Sequence, residues 1–109
     1  MDELKEELIK FQHERDWKKF HTPENLAKSI SIEAAELLEH FQWGKEYDEE
    51  EVADELADVL IYSIYMVDAM DFDIKEIIQN KMVKNAIKYP VEKSKGNAKK
   101  YVEFKHDSL

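Results

Sequence analysis

The chain of 109 residues is long enough for one domain with one modest core, and with two glycines, two prolines and many helix-forming residues its composition predicts an all-α fold. The absence of cysteine excludes disulfides and thiolate zinc sites and fits a reducing compartment, so we expect a cytoplasmic protein. The net charge of −9 argues against a nucleic-acid polymer as partner, because phosphate binding needs a positive surface.

The first predicted helix spans residues 2–17, with Asp2 as its capping residue. Its acidic, amphipathic start is not typical of a signal peptide. Its apolar stripe consists of Leu4, Leu8, Ile9 and Phe11. Trp17 and Phe20 follow at the helix exit, where aromatic rings either seal the end of a core or form a platform for a flat ligand.

A second helix is predicted from Pro23 to about His40, because a threonine cap before a proline at the first helical position is a strong start signal. At about 100° per residue, its apolar side carries Leu26, Ile30, Leu37 and Phe41. Glu33 lies on the shoulder of this stripe and Glu36 just beyond it, so neither is at the centre of the solvent face. Gly44 is predicted to follow the helix as its C′ residue.

A capping box at residues 48–51 opens the third predicted helix, which runs to about Met70. Residues 59–67 are apolar almost all round, so this stretch should be buried on several sides. The run is far shorter than the roughly 20 residues of a membrane span, and we expect no membrane partner. In so short a chain the covering surface would be a second subunit, which predicts a homodimer.

A second capping box, at residues 73–76, opens the fourth predicted helix, which ends at Lys88 before Pro90. These helices make up the predicted helical domain, residues 1–90, and residues 91–109 form a basic tail that we expect to be ordered only in part. Residues 81–109 carry eight basic and three acidic side chains, whereas residues 1–80 carry eight basic and 22 acidic ones. Such an end is either a solvated tail or a surface for a small polyanion.

Two pairs of carboxylates, each three residues apart, are the strongest chemical signal: Glu33 with Glu36, and Glu55 with Asp58, which shares a helix shoulder with Tyr62. Positions i and i+3 share a helix face, and consecutive helices with a short connection pack antiparallel, so all four acids can converge. At about 5 Å each ionised pair would cost about 3 kcal/mol at an effective dielectric of about 20, so protons or a cation must neutralise them. Oxygen ligands favour Mg²⁺, with Mn²⁺ as the alternative, and Mg²⁺ commonly shares substrate phosphates. The competing interpretation is that both pairs are solvated charge.

Other chemistries have little support in the sequence. The four histidines lack metal-ligand spacing and are expected to be surface or cap residues. No serine lies in a nucleophile motif, and no glycine-rich phosphate loop is present, so the chain is not built like a P-loop enzyme.

Five segments between about residues 11 and 101 form a recognisable set. They are ERDWKKFH at 14–21, EAAEL at 33–37, FQW at 41–43, ELADVLIY at 55–62 and KMVKNAIKYP at 81–90. This set resembles the MazG-type all-α nucleoside triphosphate pyrophosphohydrolases, and within them the small dCTP pyrophosphatase branch. The resemblance implies a four-helix MazG-like bundle that forms a homodimer or a dimer of dimers.

The resemblance also implies the chemistry, which is hydrolysis of a (deoxy)nucleoside triphosphate, with dCTP or a related pyrimidine nucleotide expected, to the monophosphate and pyrophosphate. The implied Mg²⁺ ligands and catalytic residues are Glu33, Glu36, Glu55 and Asp58, with Glu33 or Glu36 as the general base. The implied nucleoside pocket consists of Trp17, Phe20, His21, Trp43 and Tyr62. The phosphate-binding residues are Lys81 and Asn85, with Lys88, Lys95 and Lys99 as further candidates. Leu8 departs from the pattern of the branch, because relatives can have a polar pocket residue there, and this leaves the base preference open.

Two alternatives remain at this stage. One is another enzyme of the same fold, such as a phosphoribosyl-ATP pyrophosphohydrolase or a dimeric dUTPase, although the paired tryptophans favour a base-stacking pocket. The other is a helical interaction module without catalysis, whose acids are merely solvated. Binding of Mg²⁺ and of a nucleotide distinguishes an enzyme from such a module.

Overall fold

A computed structural model describes residues 1–44 and 46–96, and every regular element in that part of the chain is an α-helix. The helices are α1 (Asp2–Glu14), α2 (Pro23–Glu39), α3 (Glu49–Ala69), α4 (Ile74–Lys88) and α5 (Val91–Ser94). The predicted all-α class is therefore confirmed. The chain divides into two compact units, one of residues 1–72 with α1 to α3 and one from Asp73 onward with α4 and α5. None of the described helices is long and apolar enough to cross a membrane.

Three helices begin at the predicted capping residues. The Thr22 hydroxyl accepts a hydrogen bond from the Asn25 backbone N–H at 3.2 Å, and Pro23 is the first residue of α2. The Asp48 carboxylate accepts from two backbone N–H groups in the first turn of α3, at 2.9 and 3.2 Å. The Asp73 carboxylate does the same once for α4, at 2.9 Å. Each bond satisfies a backbone donor that has no partner within the helix, which fixes where the helix starts.

Two predicted helix ends were wrong. Asp2 is the first residue of α1 rather than its cap, because the cap position is Met1, which makes no side-chain capping bond. The same helix ends at Glu14 and not at residue 17, because Asp16 adopts a left-handed backbone (φ +53°) and the Trp17 N–H bonds back to the Gln12 carbonyl at 3.0 Å. This pattern closes a helix in the Schellman manner, here without a glycine.

Gly44 is not the C′ residue of α2. That helix ends at Glu39 with His40 as its C-cap, so four residues of turn separate the helix end from Gly44. Gly44 has φ +114°, a conformation that favours glycine, and it lies directly after Trp43. Its role is therefore in the turn that carries the tryptophan.

The core of the first unit lies where α2 and α3 pack together and α1 covers α3. Leu26 of α2 is fully buried, and Ile64, Tyr65 and Val67 of α3 are at most 8% exposed. The Tyr65 hydroxyl donates to the Leu8 carbonyl of α1 at 3.0 Å, so this ring ties the first helix to the third. On the predicted apolar side of α2, Ile30 and Leu37 are half-buried beside Leu26, whereas Phe41 follows the helix and is 43% exposed.

The apolar stretch of α3 is only partly covered within one chain. Ile64, Tyr65 and Val67 are buried, whereas Leu60 is 54% exposed, and Leu56, one turn before the stretch, is 45% exposed. In the second unit, α4 has no buried residue, and Ile78, Met82 and Ile87 are exposed. The predicted homodimer would cover such surfaces and stays a prediction.

The predicted tail begins with a short helix, α5, which follows Pro90. Lys95 directly follows that helix and is exposed. Residues 97–109, including Lys99, lie outside the described residues, so the expected partial order of the tail stays a prediction.

Candidate active site

The carboxylates of α2 and α3 meet because the two helices run antiparallel. Glu33 of α2 lies beside Glu55 and Asp58 of α3. Two turns further along α2, His40 lies beside Glu51, an earlier residue of α3. One carboxylate oxygen from each of the first three acids lies within 4.8 Å of the other two. Three of the four acids that were expected to converge, Glu33, Glu55 and Asp58, therefore do so, whereas Glu36 lies beside them within hydrogen-bonding reach of Glu33. We call Glu33, Glu36, Glu55 and Asp58 the acidic cluster.

The carboxyl groups of the acidic cluster raise one another's pKa values. Glu33, when protonated, donates a hydrogen bond to Glu55; this bond is the main cause that raises the pKa of Glu33, and burial and the charges of Glu55 and Asp58 add to it. A hydrogen bond to Glu33, followed by the negative charge of Glu33, raises the pKa of Glu36. Both directions are those expected when like charges are crowded without a counter-ion. A divalent cation would remove this repulsion.

The donor set fits a hard divalent cation. The Glu33 Oε2 atom is buried and has no hydrogen-bond partner among the described residues. A buried carboxylate oxygen without a partner is unfavourable unless an ion or water satisfies it. The Glu55 side chain is only 14% exposed. An all-oxygen, partly enclosed set of ligands suits Mg²⁺ better than zinc, which prefers nitrogen and sulfur.

A cleft of about 510 Å³ opens directly beside the acidic cluster. It is lined by Glu36, Glu39, His40, Gln42, Trp43 and Glu55. The Trp43 side chain is 88% exposed and contributes a large flat indole next to acids that could hold a cation. An indole face is a suitable stacking surface for a nucleobase.

His40 was expected to be a surface or cap residue, and its proximity to the carboxylates of α3 was not predicted. It does occupy the C-cap of α2, but its Nε2 atom is also 3.9 Å from a Glu55 oxygen and its Nδ1 atom is 4.0 Å from a Glu51 oxygen. The signal was available in the spacing, because His40 follows Glu36 by four residues and therefore lies on the same helix face.

A second group of side chains, which we call the aromatic cluster, surrounds His21. The ring centroid of His21 lies 6.1 Å from Trp17, 6.2 Å from Tyr62 and 5.1 Å from Tyr65. Tyr62 also lies near the acids. Burial raises the pKa of its hydroxyl, and the negative charges of Glu33 and Asp58 raise it further. Trp17 is 40% exposed, so the cluster keeps an accessible aromatic surface.

Gln12 is the other functional candidate that the sequence analysis missed. It is 2% exposed, and its Nε2 atom lies 2.7 Å from the His21 Nδ1 atom. The signal was again positional, since Gln12 continues the i, i+4 series of Leu4 and Leu8 on the apolar stripe of α1. A polar residue on such a stripe is a candidate for a buried hydrogen bond.

The other predicted site residues are Phe20, Lys81 and Asn85. Phe20 is 60% exposed in the turn before α2, where its carbonyl accepts from the Asn25 side chain at 3.0 Å. Lys81 and Asn85 lie on α4 in the second unit, four residues apart and hence on one exposed helix face. Their predicted phosphate-binding role stays a prediction.

The chain is similar in sequence to known proteins. The sequence profile of the MazG-like family matches residues 28–104. The chain is 33% identical to dCTP pyrophosphatase 1 of Rattus norvegicus over 119 aligned positions, covering all of this chain and 70% of the relative. The identity to dCTP pyrophosphatase 1 of Homo sapiens is 29%, with the same coverage.

A solved structure is similar as well. The crystal structure of a pyrophosphatase from Archaeoglobus fulgidus superimposes with a TM-score of 0.75 at 48% identity, covering 83% of this chain and 92% of that one. The enzyme class predicted from the sequence, a nucleotide pyrophosphohydrolase, is confirmed by these relatives. The chain belongs to the MazG-like family.

Proposed function

We propose that this protein is a Mg²⁺-dependent nucleoside triphosphate pyrophosphohydrolase that converts dCTP or a related pyrimidine nucleotide to the monophosphate and pyrophosphate. Two observations carry the proposal: one oxygen each of Glu33, Glu55 and Asp58 converge within 4.8 Å, and the Glu33 Oε2 atom is buried without a hydrogen-bond partner among the described residues. Carboxylates that served only as solvated surface charge would not need to lie so close together. The names of the relatives suggest dCTP as the first substrate to test.

The four members of the acidic cluster would hold the cation. When bound, Mg²⁺ neutralises the triphosphate and promotes ionisation of a water. The reaction consumes one water: its oxygen bonds to phosphorus, the α–β anhydride bond breaks, and pyrophosphate leaves with its electron pair. A carboxylate of Glu33 or Glu36 accepts the proton of the water, because Glu33 lies among the proposed cation ligands and Glu36 lines the cleft beside them.

The nucleoside would lie against the aromatic side chains of the same unit. Trp17, Phe20, His21, Trp43 and Tyr62 are the proposed pocket residues. Trp43 borders the cleft next to Glu36 and Glu55, so a base stacked on the indole would lie close to the acidic cluster. Phosphate contacts are proposed for Lys81 and Asn85 of α4, whose amine and amide groups suit anionic oxygens.

Assembly completes the proposal. We infer a homodimer, or a dimer of dimers, because Leu56 and Leu60 in the first unit and Ile78, Met82 and Ile87 in the second are exposed apolar residues that a solvated helix face rarely carries together. Sedimentation analysis of the purified protein tests this part. A monomer at micromolar concentration would contradict it.

The catalytic proposal is tested with a panel of nucleotides in the presence of Mg²⁺, read by pyrophosphate release. We expect pyrimidine deoxynucleotides, dCTP first, to be hydrolysed fastest. Asp58→Asn should lose at least 100-fold in rate, whereas the matched charge change Asp54→Asn, at an exposed position of the same helix, should keep the parent rate. Equal rates for Asp58→Asn and the parent would refute the assignment.

A further inference from the structure

Gln12 is a buried polar residue whose hydrogen bond to His21 has no role in the proposed chemistry. The side chain is 2% exposed on the apolar stripe of α1. Its Nε2 atom contacts the His21 Nδ1 atom at 2.7 Å, and its Oε1 atom is buried without a hydrogen-bond partner among the described residues. A methionine of similar length would fill the same space and leave no unpaired carbonyl. The contact with His21 is therefore the feature that distinguishes glutamine at this position.

The direction of that hydrogen bond determines where His21 carries its proton. An amide nitrogen donates and cannot accept, so the Nδ1 atom that receives the bond must present its lone pair. A neutral imidazole then carries its proton on Nε2. Burial lowers the pKa of His21, which favours the neutral ring near neutral pH. Turning the amide of Gln12 by 180° would place its oxygen against an Nδ1–H and give the opposite tautomer.

The second ring nitrogen of His21 is available for a ligand. Its Nε2 atom has no hydrogen-bond partner in residues 1–44 and 46–96, and His21 is only half-buried. The ring lies at the centre of the aromatic cluster, between Trp17 and Tyr62. An N–H donor among aromatic rings suits the edge of a base, because stacking holds the base and the donor selects a base with an acceptor at the matching position.

We propose that Gln12 is a positioning residue that holds His21 as the Nε2–H tautomer, so that His21 donates a hydrogen bond to a carbonyl or ring-nitrogen acceptor of the bound base. This inference rests on the proposed function, since it assumes a nucleotide in the aromatic cluster. Gln12 itself does not touch the base. It acts by fixing the orientation and the proton of the residue that does.

The tautomer of His21 is measured by ¹⁵N NMR of the imidazole at pH 8, without nucleotide. In the parent protein we expect Nδ1 to show the resonance of an unprotonated ring nitrogen and Nε2 that of a protonated one. Gln12→Glu, which replaces the donor by an acceptor, should reverse the two assignments. Gln12→Met should release the ring to a mixture of tautomers. A parent spectrum with the proton on Nδ1, or a Gln12→Met spectrum identical to that of the parent, would overturn the proposal.

Steady-state kinetics supply the second readout. Gln12→Met and Gln12→Glu should raise KM for the best nucleotide about tenfold while kcat changes less than threefold. The control Lys10→Met, at an exposed position of the same helix, should leave both constants unchanged. The expected tautomer in the parent combined with an unchanged KM in both variants would refute the role in base recognition. Failure of the parent to hydrolyse any nucleotide would instead refute the proposed function, and the NMR result would still decide what Gln12 does to His21.

Discussion

Replacing Glu55 by glutamine should have opposite effects on stability with and without Mg²⁺. Glu55 is the central member of the acidic cluster, because it contacts Glu33 and Glu36 and its side chain is only 14% exposed. Glutamine keeps the length and shape of the side chain but removes its negative charge. Without a divalent cation the variant should therefore unfold at a higher denaturant concentration than the parent.

The size of this effect follows from the spacing of the acids. Two unit charges 4.8 Å apart, the upper limit of separation between the converging oxygens of Glu33, Glu55 and Asp58, repel by about 3.5 kcal/mol at an effective dielectric of about 20. One circumstance reduces this value: Asp58 is exposed, so water screens its charge. We therefore expect Glu55→Gln to raise the free energy of unfolding by about 1 kcal/mol in the metal-free protein.

Mg²⁺ should reverse the order of stabilities. A ligand at 100 times its dissociation constant stabilises the folded state by about 2.7 kcal/mol, and the parent should gain that amount. Glu55→Gln should gain little, because it lacks one of the ligands. Urea denaturation at pH 8, followed by circular dichroism with EDTA or with excess Mg²⁺, measures both differences.

Asp54→Asn serves as the matched control, since it removes the same charge from an exposed neighbouring position on α3. It should gain as much from Mg²⁺ as the parent does. Two results would refute the reasoning: a Glu55→Gln protein less stable than the parent in EDTA, or a variant that Mg²⁺ stabilises as strongly as the parent.

Three further predictions follow from individual residues. Trp43→Ala should raise KM between about fivefold and 150-fold, the equivalent of about 1–3 kcal/mol of lost base stacking. It should not change stability, because the indole is 88% exposed. An unchanged KM would remove Trp43 from the proposed pocket. Leu26→Ala should lower the free energy of unfolding by about 2–5 kcal/mol in urea denaturation, because the side chain is fully buried. Ile32→Ala, at a 57% exposed position of the same helix, should cost less than about 1 kcal/mol. Similar losses at both positions would contradict the described core. Burial lowers the pKa of His21 from its usual 6.5, so the unfolded chain takes up the proton first as the pH falls. The stability that neutral His21 contributes is therefore present above pH 6.5 and is lost as the pH falls through the pKa of the folded state. The difference in unfolding free energy between the parent and His21→Phe should accordingly decrease from pH 8 to pH 5, and a difference that grows in this range would contradict the sign.

The helix pattern was predictable wherever a local signal was strong. Thr22 with Pro23, and the acids at positions 48 and 73, fix three helix starts through short-range hydrogen bonds that involve only neighbouring residues. The end of α1 was not predictable, because it depends on Asp16 adopting a left-handed backbone, which sequence favours only weakly outside glycine. Exposed Leu56 and Leu60 show the other limit, since periodicity identifies an apolar face but not the partner that covers it.

The acidic cluster was predictable because two regularities coincide. Spacing of three residues places each pair on one helix face, and antiparallel packing then brings the faces together. Gln12 and His40 could not be assigned, because their partners lie on other elements or are separated by a turn. The only local signal was position: Gln12 and His40 each lie on a helix face that already carried predicted core or site residues. Contacts between elements depend on register, which a single sequence does not provide.

Product identification by ³¹P NMR tests the central claim most directly. The parent protein is incubated with dCTP and Mg²⁺, and the same reaction is run with EDTA and with Asp58→Asn. We predict dCMP and pyrophosphate in the first reaction and intact dCTP in the other two. Formation of dCDP and phosphate, or the same products in the presence of EDTA, would contradict the assignment of the acidic cluster as the metal-dependent catalytic centre.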